Sequence, residues 1–350
     1  KDTLCKKYGL ELKQPTIVEI FAEQKDFGVR TFGMPDNPGF LGVCFGCVIT
    51  ANSPASQMPD PANWEAVLWH EFCHTVTLTL TKNRMPRWLS EGISVYEERQ
   101  ANPAWGQSMN PKFREMTLGE DLTPVSKLSG AFLSPKTPGH LSFAYYESSL
   151  VVEYIVKRFG LDALRKILGD LGSGVEINAA IAKHTEPMDK LEPAFATFAK
   201  TRAEGLAPKL DWTRPKPEDL KGGVEAFAKK HPKNIYLLQR RARKALAEKK
   251  WEAAKAPCRE LIELFPHQAD GDSAYLMLAR AHRELKELKE ERKVLDQFVV
   301  LTDDAFDVYL RLMELGAKAK DWAAVRSNAE RALAVNPLLS VPYRHLAEAA

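Results

Sequence analysis

The chain has 350 residues, 45% of them hydrophobic and 27% charged, with a formal net charge of +3. That is material for two domains or one large one around a buried core, and it excludes collagen-like, disordered and disulfide-scaffold chains. A charge of +3 gives no electrostatic case for nucleic acid, and no apolar stretch approaches the roughly 18 residues of a membrane span. The one concentrated basic stretch, Lys229 to Lys250, reads as a solvated helix. Five cysteines (Cys5, Cys44, Cys47, Cys73, Cys258) are an odd number and too few for a disulfide framework.

In chain order, Pro15 to Phe21 reads as a strand, because Ile17, Val18, Ile20 and Phe21 are β-branched or aromatic and lie between turn signals. A second strand is expected over Phe40 to Thr50, after the turn-rich Met34 to Gly39. Asp60-Pro61 is a helix start, with Asp as N-cap and Pro at the first helical position. The helix is predicted to run to about Thr81, since Trp64, Val67, Leu68, Phe72, Thr75 and Val76 recur at helical spacing. Pro86 opens another helix through Trp88, Glu91 and Val95, stopping before Pro103, and Asn102 to Gly139 is predicted as a loop. An apolar helix follows from Ser142 to Phe159, closed by Gly160, with more helix to about Ala203.

The Pro-, Gly- and Lys-rich segment 206–223 reads as a linker between a domain at 1–205 and another at 224–350. In the second domain Tyr275, Tyr309 and Tyr343 recur at intervals of 34, as do Leu288 and Trp322, and Asp303 and Pro337. Trp251 and Pro266 fit an earlier copy lengthened by about three residues. This period, with Ala279, Ala329 and Ala332, resembles the tetratricopeptide repeat over about a third of the chain. Pro257 inside a helix, and Asp303 where Pro is usual, depart from that pattern. Stacked helix pairs are expected there, with a protein partner as their ligand.

The chemistry sits in His70-Glu71-Phe72-Cys73-His74, an HExxH sequence in the middle of a predicted helix. Residues four apart lie about 40° apart around a helix axis, so both imidazoles can reach one metal and Glu71 projects beside it. Such a match arises by chance on the order of once per hundred chains, and a satisfied pair of core histidines is the competing reading. A metzincin would need Gly and His where Thr77 and Leu80 stand. Between Thr75 and Ser90 there is no Asp, Glu, His or Cys, so the first ligand candidate is Glu91, 17 residues after His74. Two His and one Glu would leave an open position on zinc, as a catalytic site requires.

His70-Glu71-x-x-His74 followed by Trp88-Leu89-Ser90-Glu91-Gly92 resembles the peptidase MA-like gluzincins, relatives of thermolysin and the zinc aminopeptidases. The resemblance spans roughly residues 15–200 and extends to Tyr145-Tyr146-Glu147-Ser148 and Tyr154-Ile155. It implies an α+β catalytic domain with a small N-terminal sheet, ahead of the all-α repeat domain. It implies one Zn2+ per chain on His70, His74 and Glu91, with Glu71 as general base. Tyr145, by its spacing to Ser148 and Tyr154, would donate to the oxyanion, with neighbouring Tyr146 as the competing assignment. The substrate would be a peptide or protein, held by an edge strand for which Gly42 to Thr50 is the candidate; Gly46, Cys47 and Val48 are the contacts expected from it. His140 reads either as a cleft contact or as a surface-loop histidine. The Gly-x-Met-Glu-Asn motif of the aminopeptidases is missing, which favours an endopeptidase. The resemblance suits a periplasmic or extracellular protein. The alternative is a non-catalytic adaptor in which the repeats carry the function and the zinc site is inert or structural. Cys44 and Cys47 are expected as small buried strand residues, and Glu97 and Glu98 as a solvated helix face rather than ligand-orienting carboxylates.

Overall fold

The N-terminal half of the chain folds helix, strand, helix, hairpin before its long helices begin: α1 (Asp2–Tyr8), β1 (Ile17–Phe21), α2 (Gln24–Phe32), β2 (Gly42–Cys44) and β3 (Val48–Asn52). The computed structural model describes residues 1–35, 39–59, 61–219, 221 and 223–350. Three residues of the predicted 34–39 turn (Asp36, Asn37, Pro38), the predicted cap Asp60, and Leu220 and Gly222 of the 206–223 segment lie outside them.

The strand expected over 40–50 is in fact a hairpin. Gly46 sits at φ 81 in the turn, a conformation open to glycine that breaks the run into β2 and β3. Cys44 and Cys47 therefore flank the turn as free thiols, and Cys47 is exposed rather than buried in a strand. The sheet order is β1-β3-β2. β3 is central, parallel to β1 from Ile17↔Val48 to Phe21↔Asn52 and antiparallel to β2 from Gly42↔Ala51 to Cys44↔Ile49.

α3 (Trp64–Thr81) begins three residues later than the Asp-Pro signal suggests, because Asn63 caps it: its Oδ1 accepts the Ala66 N–H at 3.0 Å. Lys82 and Asn83 adopt left-handed conformations that turn the chain within a few residues into α4 (Arg87–Ala101). The segment predicted as loop holds α5 (Pro111–Leu118) and α6 (Leu128–Leu133), the first with Pro at its first turn and Asn110 accepting the Phe113 N–H. Proline there marked a helix start instead of a break. α7 (Pro138–Phe159) starts four residues earlier than predicted for the same reason, capped by Thr137. α8 (Leu161–Gly172), α9 (Ile177–His184) and α10 (Met188–Glu204) complete this part.

α3, α4 and α7 share one apolar core with α8, in which Trp88, Leu89, Ile93, Val151, Ile155, Leu164 and Ile167 are almost fully buried. Burying a large aliphatic or aromatic side chain contributes about 1.5–3 kcal/mol each before chain entropy is counted. α4 meets α7 at Gly92, where a Cβ would lie 2.7 Å from the backbone carbonyl of Ser148. Only glycine permits that approach, which explains the residue next to Glu91.

The chain divides into two compact units, Lys1–Ala203 with Ala334–Leu338, and Glu204–Leu333 with Leu339–Ala350. Helices α11 (Val224–Lys230), α12 (Ile235–Ala247), α13 (Trp251–Leu264), α14 (Ala274–Glu284), α15 (Leu288–Phe298), α16 (Phe306–Ala319), α17 (Trp322–Val335) and α18 (Ser340–Glu348) follow residue 223. Trp251, Leu288 and Trp322 each begin a helix, and Tyr275, Tyr309 and Tyr343 each lie near the start of one. The 34-residue interval thus coincides with an interval between helices. Glu291, fully buried on α15, is held by Arg283 at 2.6 Å and by Arg311 at 2.8 Å, so its charge is paired. Among the described residues no helix is long and apolar enough to cross a membrane.

Candidate metal and catalytic site

Helical spacing on α3 brings His70 and His74 onto one face, with ring centroids 4.8 Å apart. The short turn after Thr81 folds α4 back alongside, and Glu91 arrives between the rings. Its Oε2 lies 3.2 Å from His70 Nε2 and 3.3 Å from His74 Nε2. The three residues offer ligand atoms that all lie within 4.8 Å of one another, so they could hold a metal ion.

Both imidazoles are held from behind. Ser90 and Ser94 hydroxyls lie 2.8 and 3.2 Å from His74 Nδ1, and Glu98 Oε1 lies 3.4 Å from His70 Nδ1. With each Nδ1 occupied, the Nε2 atoms are the ones presented to a shared ligand. Ser94 also donates to the His70 carbonyl at 3.2 Å, tying α4 to α3 at the motif.

Electrostatics follow from burial against this charge cluster. Burial opposes the charged form of Glu91, yet His74 and His70 outweigh it and hold its carboxyl well below the usual range. For His70 burial again opposes charge, and Glu98 and Glu91 reverse it, so its pKa stands well above the ordinary value. Glu71 goes the other way. Burial raises its pKa, and the pull of His74 and His70 only partly offsets that. Glu71 is 6% exposed, and its Oε2 has no hydrogen-bond partner among the described residues. An unpartnered buried carboxylate oxygen of this kind calls for a proton-bearing occupant.

Tyr145, on α7, accepts a hydrogen bond at its Oη from Arg87 Nη2 at 2.9 Å. Burial pushes its phenol up to about 12, with Glu91 adding and Arg87 subtracting. Tyr146 points elsewhere: its ring is buried in the core, stacked on Phe113 at 5.0 Å. Adjacent helix positions point about 100° apart, which separates the two tyrosines. His140 pairs with Asp121 at 3.3 Å and Thr137 at 2.8 Å, and among the described residues no hydrogen bond or ion pair joins it to the His70–His74–Glu91 group.

The edge strand also differs from expectation. Gly46 and Cys47 lie in the hairpin turn, and Val48 is paired on the central strand, its carbonyl accepting from Phe45 at 2.7 Å. The sheet's edge beside α3 is β2, and Gly42 on it packs directly against the Glu71 carboxylate. Arg87, Ser90 and Ser94, and the contact of Gly42 with Glu71, are what sequence reasoning missed, and Glu98 is what it misread. Glu97 and Glu98 are both buried, not solvated: Glu97 accepts from Tyr8 at 2.6 Å and Lys7 at 2.7 Å. A signal existed for Arg87, Ser94 and Glu98, since Arg87, Glu91, Ser94 and Glu98 are spaced four, three and four along one helix face.

A family model described as the Peptidase MA superfamily matches residues 3–198, more than half of the chain. The chain belongs to that superfamily. No curated protein and no solved structure matches it significantly.

Proposed function

We propose that this member of the Peptidase MA superfamily is a zinc-dependent peptidase of the gluzincin type, holding one zinc per chain on His70, His74 and Glu91. The observation that carries the reading is the convergence of two Nε2 atoms and one carboxylate oxygen beside a buried, unpartnered Glu71 oxygen. Two imidazoles and one carboxylate are a donor set that suits zinc and leaves a position open. Zinc bound there supplies Lewis acidity toward a water and a peptide carbonyl.

The remaining chemistry belongs to the chain. Glu71 takes a proton from the attacking water at a carboxylate oxygen and delivers it to the leaving amine nitrogen. Tyr145 donates its O–H to the carbonyl oxygen as negative charge builds on it. β2 offers a sheet edge beside Glu71, along which an extended peptide would add as a further strand. An open-ended strand edge suits cleavage within a chain, and the helices after residue 223 would recruit a partner or substrate as tetratricopeptide-like repeats.

The test pairs metal analysis with cleavage of a peptide library. Parent protein is expected to hold stoichiometric zinc, lose it in His74→Ala, and cleave peptides that Glu71→Gln leaves intact. Cleavage surviving in Glu71→Gln, or zinc missing from the parent, would sink the mechanism; zinc without any cleavage favours the adaptor reading.

A further inference from the structure

Arg87 occupies the first position of α4, one turn before Glu91, and its guanidinium serves two acceptors at once. Nε donates to Glu91 Oε1 at 3.3 Å, while Nη2 donates to Tyr145 Oη at 2.9 Å. The guanidinium carbon lies 5.5 Å from the centre of the Phe132 ring and 6.0 Å from that of Tyr145, and these two rings pack 5.1 Å apart. The arginine thus rests against a tilted aromatic pair, with interplanar angle 57°, although its side chain remains 46% exposed.

The division of atoms is specific. Glu91 uses Oε1 for Arg87 and Oε2 for the two imidazoles. Arginine has donors only, so the Tyr145 oxygen must accept, and the single phenolic hydrogen is left to point elsewhere. A neighbouring positive charge also strengthens that O–H as a donor.

We propose that Arg87 is a positioning residue that links the metal ligand Glu91 to Tyr145, turning one Glu91 oxygen toward the ion and aiming the Tyr145 hydroxyl hydrogen at the substrate carbonyl. The inference rests on the roles given above to Glu91 and Tyr145. Lysine cannot replace this group, because a single ammonium lacks the planar fork that reaches both acceptors with fixed geometry.

The experiment is a double-mutant cycle with two readouts, steady-state cleavage and zinc affinity by chelator competition. Arg87→Met is expected to lower kcat about ten- to hundredfold with KM little changed, and to weaken zinc binding about tenfold. Tyr145→Phe is expected to lower kcat and leave zinc affinity alone. In the Tyr145→Phe background, Arg87→Met should cost much less in kcat than it does in the parent, because the hydroxyl it aims is gone. Arg87→Lys keeps the charge and the stem, and is expected to recover zinc affinity more than kcat. Losses in kcat that simply multiply, or unchanged zinc affinity in Arg87→Met, overturn the inference. These outcomes are separable from failure of the peptidase reading, which shows as cleavage by Glu71→Gln or a zinc-free parent.

Discussion

Gly42 and Glu71 are in contact across the gap between the edge strand and the metal-site helix: a Cβ at residue 42 would lie 2.8 Å from Glu71 Cγ and 2.9 Å from its Oε1. The atoms met are the outer part of a side chain, which can rotate away, so Gly42→Ala is expected to fold normally. What it moves is the proposed base. A displacement of about 1 Å at a reacting group costs up to about a hundredfold in rate, and we expect kcat to fall by about ten- to a hundredfold. Zinc stoichiometry and Tm should stay close to the parent's. Steady-state kinetics beside metal analysis checks this, and unaltered kcat would mean that Glu71 does not act from the observed position.

The carboxylate and hydroxyls behind the imidazoles predict a second effect, on affinity rather than rate. Glu98 holds His70 at Nδ1, while Ser90 and Ser94 hold His74. Partners of this kind fix tautomer and ring orientation, and their loss costs about 10–100-fold in metal affinity. Glu98→Gln preserves shape and removes charge; Ser90→Ala with Ser94→Ala removes both contacts to His74. Each is expected to raise the zinc dissociation constant within that range in a chelator competition, with the far-ultraviolet circular dichroism spectrum unchanged.

Glu147 gives a pH-dependent prediction away from the metal ligands. It is 1% exposed on α7, its Oε1 accepts the Thr123 N–H at 2.5 Å, and its Oε2 has no partner among the described residues. Burial pushes its carboxyl up to about 8, the Thr123 bonds acting against this and Asp121 with it. The folded protein therefore keeps a proton that the unfolded chain releases near the ordinary carboxyl value. Stability from this group is fully present below that value and declines as pH rises toward about 8, by up to a few kcal/mol. Glu147→Gln holds the neutral shape at every pH. Urea unfolding at pH 5 and pH 8 is expected to show parent and variant nearly equal at the lower pH and the variant more stable at the higher.

How much of this was legible in the sequence depends on the range of the interaction that fixes each feature. The His70–His74 pair and the helix bearing it follow from spacing within one element, and the end at Thr81 and restart after Pro86 follow from local turn chemistry. Hence Glu91 could be picked out as the nearest ligand candidate, and it is Glu91 that meets both imidazoles. The hairpin at Gly46 was hidden because Phe40 to Ile49 carries no polar side chain, and a single glycine within such a run is a weak break. Gly42 was invisible for a different reason: its contact with Glu71 joins residues 29 apart through tertiary packing, with no periodicity to reveal it. Glu98 was misread because a charged residue near a helix end usually faces water. Here the same face continues from Glu91 through Ser94, and the paired carboxylate is buried with it. Tyr145 and Tyr146 could be ranked only by resemblance; it is the packing of Tyr146 against Phe113 that separates their surroundings.

Gly92 supplies the converse of Gly42. Its missing Cβ would meet the Ser148 carbonyl carbon and oxygen at 2.7 Å and the Ser148 Cβ at 2.9 Å. These atoms belong to the α7 backbone, which has no rotamer to give way, so Gly92→Ala must push α4 and α7 apart. Overpacking of this kind costs about 1–3 kcal/mol, partly offset by the better helix propensity of alanine, worth up to about 1 kcal/mol. Because Glu91 neighbours this contact and Tyr145 lies one turn before Ser148, the same displacement separates the ligand from the tyrosine. Gly92→Ala is therefore expected to lower the denaturation midpoint, weaken zinc binding and reduce kcat together, where Gly42→Ala reduces kcat alone. Urea titration, chelator competition and steady-state kinetics on the two variants side by side check the contrast. A Gly92→Ala protein with parental zinc affinity would show that the α4–α7 approach does not set the position of Glu91.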